Sequence, residues 1–275
     1  MKKKKITILI IFSAALLTLQ GCGYITDYFE ELFTPNLMII RGQKTVSGAG
    51  EVFTVPPGTT VEFRSLALAQ INGELLITGG SKLIAQGTAE EPIIFKSNNT
   101  GGIIYFDTSA STASVVEYCN FDDTDIKMLN STNIQHCKFS ICSIELYFAI
   151  TPTIQYNSFE GTTAYSESSQ IISRNGENEY NLAPIIRYNN FTTIYNFAIY
   201  FYEGENPIIE YNNITNCEEF AIYHASNNSI QYTVNNNYIS NCNGLTGLDT
   251  TGEQSHNITY SSYKSTFISE AGAGW

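Results

Sequence analysis

From Leu37 onward, apolar and polar positions alternate in short runs separated by Gly, Pro, Asn and Asp. Period-two alternation between turn formers predicts strands, and no convincing helix interrupts them. A longer pattern overlies the short one. The stretch "PIIRYNNFTTIYNFAIYFYEGEN", from Pro184, runs straight into "PIIEYNNITNCEEFAIYHASNN", from Pro207. At that offset of 23 residues Ile186 meets Ile209, Tyr188 meets Tyr211, Asn189 meets Asn212, Phe197 meets Phe220 and Tyr200 meets Tyr223. A period of this length signals a solenoid. One such coil cannot hide its own apolar face, whereas coils stacked at the ~4.8 Å spacing of paired strands build a continuous core.

Looser copies begin at Val116, Ile134, Ile154, Val234 and, weakly, Ile258; with Ile186 and Ile209 the successive spacings are 18, 20, 32, 23, 25 and 24 residues. The 32 marks an insertion of about ten residues between Gly161 and Ala183. Each repeat position becomes a ladder along the axis. Ile186, Ile209 and Val234 form one inward ladder, and Phe191, Ile214 and Ile239 another. The prediction is an all-β, single-stranded right-handed parallel β-helix of roughly nine to ten coils over residues 40–275.

Asn157, Asn189, Asn212 and Asn237 form a polar column. Asparagine tolerates the left-handed backbone of a tight turn, and its amide can bond the amides above and below. Cys119 and Cys137 hold that position in two earlier copies, and a second column holds Cys142, Ile194, Cys217 and Cys242. The asparagine column resembles the ladder of pectate-lyase-like β-helices. The clauses "VPPGTTVEF" and "LLITGGSKLIAQGTAEEPIIF", Val55–Phe63 and Leu75–Phe95, likewise resemble the opening coils of secreted proteins with that fold. The resemblance implies the β-helix and brings polysaccharide lyases and glycoside hydrolases into view.

The first residues read as an export signal: four lysines, an apolar run from Ile6 to Leu19, then Gly21 and Cys22. That run is shorter than the ~20 residues a membrane-spanning helix needs. Leu19-Gln20-Gly21-Cys22 resembles the lipobox of bacterial lipoproteins, in which the cysteine is acylated and becomes the mature N-terminus. The resemblance implies a signal peptide at 1–21, a lipid-anchored tether at 22–39, membrane attachment through lipid on Cys22, and a cell-envelope address, at the outer membrane or cell surface. Removing residues 1–21 takes four lysines and no acid, which leaves ten basic residues against 26 acidic and a formal charge of −16. Such a surface repels nucleic acid, so no nucleic-acid partner is expected.

Aromatics supply the candidate ligand-binding residues. Alternation turns Tyr200 and Tyr223 outward with Tyr202 beside them, and Tyr188 and Tyr211 extend a column with Tyr118, His136 and Tyr156 before the turn. Flat rings with polar tips suit stacking on sugars; identical neighbours also stack simply because they pack well. Asp122, Asp123 and Asp125 are weak candidates for a Ca2+ site, the only cofactor considered, and otherwise form a solvated turn. Cys217 and Cys242 fall one rung apart with side chains expected to point the same way, as buried small thiols. A lyase needs a cation beside a strong base, and a hydrolase two facing carboxylates; no such constellation stands out. The functional expectation is a non-catalytic envelope lipoprotein offering an elongated surface to polysaccharide or an envelope protein. The alternatives are a pectin-lyase-like polysaccharide lyase or glycoside hydrolase, and a structural or adhesive spacer.

Overall fold

A computed structural model describes residues 34–64, 72–97, 101–147, 150–161, 170–173, 182–201, 206–224, 232–242, 244–248, 258–260 and 269–272. Its strands form three parallel sheets of nine, and the chain visits the sheets in strict rotation. The first sheet runs from Leu37–Arg41 to Tyr238–Ser240, the second from Gln43–Ser47 to Gly244–Leu248 and the third from Val52–Val55 to Ile258–Tyr260. The molecule is a right-handed parallel β-helix.

The core is a set of ladders, as the repeat requires. Ile186 pairs with Ile209 and Ile209 with Val234, each at most 2% exposed. On the first sheet Phe63, Phe95, Phe121, Phe139, Phe159 and Phe191 are stacked in succession with ring centroids 4.6 to 6.4 Å apart, and the column continues as Ile214 and Ile239. A fully buried apolar side chain of this size contributes about 1.5–3 kcal/mol, so the interior ladders are the main stabilising element.

Three expectations are corrected. The insertion after Gly161 is not one block: the strand Ile171–Ser173 sits inside it, in register with Ile144–Leu146. The extra length therefore divides between the two corners that flank that strand. In the last copy Ile258 pairs with Tyr232, and Tyr260 takes the position opposite Val234, two residues from the expected register. The left-handed backbone does not fall on the asparagine column. It falls one residue earlier, on Tyr118, His136, Tyr156, Tyr188, Tyr211 and, in the last of these rungs, Asn236, with φ between 51° and 57°. The asparagines follow that bend with their side chains turned into the wall of the solenoid.

Candidate functional site

Two outward aromatic arrays differ in what they can touch. The first lies at the corner from the third sheet to the first. Tyr118, His136, Tyr156, Tyr188 and Tyr211 stack with centroids 4.8, 5.2, 5.1 and 5.2 Å apart and planes within 11°. Each inner ring has a neighbour on both faces. A sugar entering between two rings would need them ~7–8 Å apart, twice the usual carbon contact distance. The inner rings therefore present edges and polar tips, and Tyr188, stacked between Tyr156 and Tyr211, offers no flat platform. Burial, together with the phenols of Tyr156 and Tyr211, raises the Tyr188 hydroxyl above the ordinary phenol range.

Behind the rings stands the asparagine ladder. Asn157 Nδ2 donates to Asn189 Oδ1 at 3.0 Å, Asn189 Nδ2 to Asn212 Oδ1 at 3.0 Å, and Asn212 Nδ2 to Asn237 Oδ1 at 2.9 Å. Each of the last three oxygens also accepts the backbone N–H of the preceding rung's asparagine, at 2.9 to 3.0 Å. The four side chains are at most 1% exposed, so every polar atom needs these partners. Beside the rings, Gln86, Glu117, Gln135, Gln155 and Arg187 are joined by side-chain hydrogen bonds of 3.0 to 3.1 Å. The segment 269–272 returns to this corner, where Gly272 N–H donates to the Tyr188 carbonyl at 2.6 Å and Asn190 Nδ2 to the Ala271 carbonyl at 2.8 Å.

The second array lies on the outer face of the second sheet. Tyr200 and Tyr223 are in register with centroids 5.4 Å apart. Phe197 packs 4.6 Å from Tyr223 and 5.5 Å from Tyr200, the latter tilted by 44°, and Phe220 lies 5.9 Å from Tyr223 at 38°. Ile172 pairs with Tyr200 and extends the apolar surface by one rung. All four rings are half-buried. Tyr200 with Tyr223, Phe197 with Tyr223 and Phe197 with Phe220 are stacked at 18°, 27° and 11°, while Phe197 with Tyr200 and Phe220 with Tyr223 are tilted. This cluster thus mixes the two geometries, where the corner column has stacked contacts alone. Phe197 and Phe220 were absent from the candidate residues; their coincidence at the 23-residue offset was the signal, but alternation within a strand does not reach residues at its edge. Tyr202 and Cys22 lie outside the described residues.

The acidic candidates separate. Asp122 stands on the first sheet, opposite Lys96 and Ser140. Asp123 occupies a left-handed corner (φ 50°), its Oδ2 accepting the Gly101 N–H at 3.4 Å. Asp125, on the second sheet, accepts the Ser143 N–H and hydroxyl at 2.7 and 3.0 Å, and burial pushes its carboxyl up. Among the described residues no three His, Cys, Asp or Glu side chains gather as metal ligands.

A polar cleft of about 320 Å3 near the first rungs is lined by Asn36, Gly58, Glu62, Arg64 and Lys96 among others. Glu62 is bound by Arg64 at 2.6 Å and Lys96 at 3.2 Å. Burial alone would raise its carboxyl, but these two cations hold it below the usual range. Two cations in the cleft thus share one carboxylate.

No protein-family model, curated protein or solved structure matches this chain.

Proposed function

We propose that this chain is a cell-envelope lipoprotein, anchored through lipid on Cys22, whose β-helix binds carbohydrate without catalysis. The outer membrane is the proposed address, and the pectin-lyase-like group the proposed kinship. The observation that carries the reading is the cluster of four half-buried rings, part stacked and part tilted, that Phe197, Tyr200, Phe220 and Tyr223 form on an outer sheet face. Apolar ring bodies with phenolic tips match the alternating C–H and hydroxyl surface of a sugar. The non-catalytic half of the reading is supported by how the carboxylates are used. Glu62 holds Arg64 and Lys96, Asp125 holds Ser143, and Glu145 holds Lys127 and Tyr147. None of these is poised as a free acid and base pair across a groove.

The test uses full-length chain extracted from membranes in detergent, with two readouts. Intact mass should show acyl chains on Cys22, and a glycan array should give binding to neutral polysaccharide. Tyr200→Ala with Tyr223→Ala should weaken that binding about 5- to 150-fold, since two stacked rings at ~0.5–1.5 kcal/mol each contribute ~1–3 kcal/mol. Tyr188→Ala with Tyr211→Ala should leave it nearly unchanged. Equal losses from both pairs, or hydrolysis of the bound glycan, would overturn the reading.

A further inference from the structure

The corner from the first sheet to the second carries two thiols on adjacent rungs. Thr215 pairs with Ser240, Asn216 and Asn241 both take the left-handed conformation, and Asn241 Nδ2 donates to Asn216 Oδ1 at 2.7 Å. Cys217 and Cys242 follow directly, so the pinned asparagines hold the cysteines one above the other. The Cys242 sulfur lies 3.5 Å from the Ser240 carbonyl of its own rung and 3.9 Å from the Ile214 carbonyl of the earlier one. The two thiols stand on neighbouring rungs of one column. Their exposure differs: Cys217 is 3% exposed, whereas Cys242 is half-buried at the surface.

We propose that Cys217 and Cys242 form a reversible dithiol–disulfide pair, Cys242 attacking and Cys217 resolving. The oxidant class is a small disulfide. Cys242 Sγ attacks one sulfur of that molecule, forms a mixed disulfide and expels one thiolate. Cys217 Sγ then attacks Cys242 Sγ, closes the protein disulfide and expels the second. Two protein thiols and one small disulfide become one protein disulfide and two small thiols, with both protein protons passing to the leaving thiolates.

The electrostatics agree with the assignment. The Cys217 S–H lowers the Cys242 thiol to about 7, while Cys217 itself is raised, first by that same interaction and then by burial. The lowering favours the thiolate at Cys242, and the thiolate is the nucleophile. In-register side chains on parallel rungs sit ~4.8 Å apart, whereas a disulfide wants its Cβ atoms at ~3.5–4.5 Å. Closure must draw the rungs together, and a bond made under that demand is reducible rather than permanent.

The molecule contains its own control. Cys119 and Cys137 also stand on adjacent rungs, but both are fully buried. Their sulfurs donate to the Glu117 and Gln135 carbonyls at 3.3 and 3.1 Å, as Cys242 does to the Ser240 carbonyl at 3.5 Å. Burial first, then the Cys137 thiol, pushes the Cys119 thiol well up, so exposure is what separates the two pairs. The experiment treats reduced full-length chain with oxidised glutathione at neutral pH and maps the products by peptide mass spectrometry. A Cys217–Cys242 link that dithiothreitol reverses is expected. In Cys217→Ser, glutathione should remain on Cys242, at least about tenfold faster than on Cys119, Cys137 or Cys142. Cys242→Ser should leave Cys217 unmodified. With circular dichroism unchanged, comparable labelling of Cys119 and Cys137, or absence of the Cys217–Cys242 link, would refute the pair.

Discussion

Two corners of this solenoid face the same conformational demand and meet it differently. Each turns through one residue in the left-handed region: Tyr118, His136, Tyr156, Tyr188 and Tyr211 at one corner, Asp123, Ile141, Thr193, Asn216 and Asn241 at the other. The first corner has near-constant length and is closed by two ladders, rings outside and carboxamides within. The second varies from Asp122-to-Thr124 to Glu160-to-Ile171 between strands, and its column changes from Thr124 to Cys142, Ile194, Cys217 and Cys242. Uniform length lets identical side chains stack, and stacking leaves them no spare surface. Where length varies the ladder breaks, and of the column Thr124, Cys142, Ile194, Cys217 and Cys242 the last is left half-buried while the others are buried.

The sharpest way to break that contrast is to remove one asparagine. Asn189→Ala leaves the Asn157 N–H and the Ile154 carbonyl without the partners they now have. Two buried orphans at ~1–3 kcal/mol each predict a loss of about 3–5 kcal/mol, a large share of a domain's stability. Asn189→Cys should cost less, because Cys137 in this column already donates S–H to the Gln135 carbonyl. It supplies no oxygen in return. Cys217→Ala at the other corner should cost only about 1–2 kcal/mol, the loss of a small buried sulfur. Urea unfolding of the three variants measures all of this, and equal losses at the two corners would erase the distinction.

Much of this was legible in the repeat. Ile186, Ile209 and Val234, and Phe191, Ile214 and Ile239, could be placed because a 23-residue offset puts like beside like. The position of the bend could not. Tyr188-Asn189 offers two residues for one left-handed site, and intrinsic preference chooses Asn, while the observed ladder requires Asn to be the residue whose amide faces inward. Ring orientation was also hidden, since a column of tyrosines looks the same whether the faces are open or closed against one another. The split insertion escaped notice because Ile171 and Ile172 lie between two added segments and so lack the usual spacing. The shift at Ile258 arose because Ile and Tyr both suit the same column.

A smaller effect tests whether the closed corner holds its tyrosines against their preference. A bulky side chain in the left-handed region costs ~1–2 kcal/mol. Tyr188→Ala removes two ring contacts, at 5.1 and 5.2 Å, and keeps that cost, so a loss of about 1–3 kcal/mol is expected. Tyr188→Gly removes the same contacts but relieves the backbone, and should be milder than Tyr188→Ala by about 1 kcal/mol even after the extra freedom it gives the unfolded chain. Asn216→Gly, with no ring to lose, should be close to neutral apart from its bond to Asn241. Glycine proving worse than alanine at 188 would mean that the tyrosine bend is relaxed, and the two corners would then differ only in packing.

The smallest effect is one of sign, and it separates Asp125, which follows the open corner, from Glu62 near the first rungs. Burial raises the Asp125 carboxyl, so between the ordinary carboxylate range and its raised value the folded chain binds a proton that the unfolded chain has released. Stability therefore falls as pH rises through that window and stays lower above it. Glu62, held down by Arg64 and Lys96 despite burial, behaves oppositely: its contribution is full above the ordinary range and is lost as pH falls through its lowered value. Asp125→Asn keeps an oxygen for the Ser143 N–H and removes a buried charge, so its melting temperature should exceed that of the native chain at pH 7. Glu62→Gln should melt lower at pH 7. Both differences should shrink on acidification, approaching the native curve from opposite sides. An Asp125→Asn chain that melts below the native one at every pH would show that this carboxylate is needed as an anion, and the open corner would then contain a fixed charge site rather than a group left over from packing.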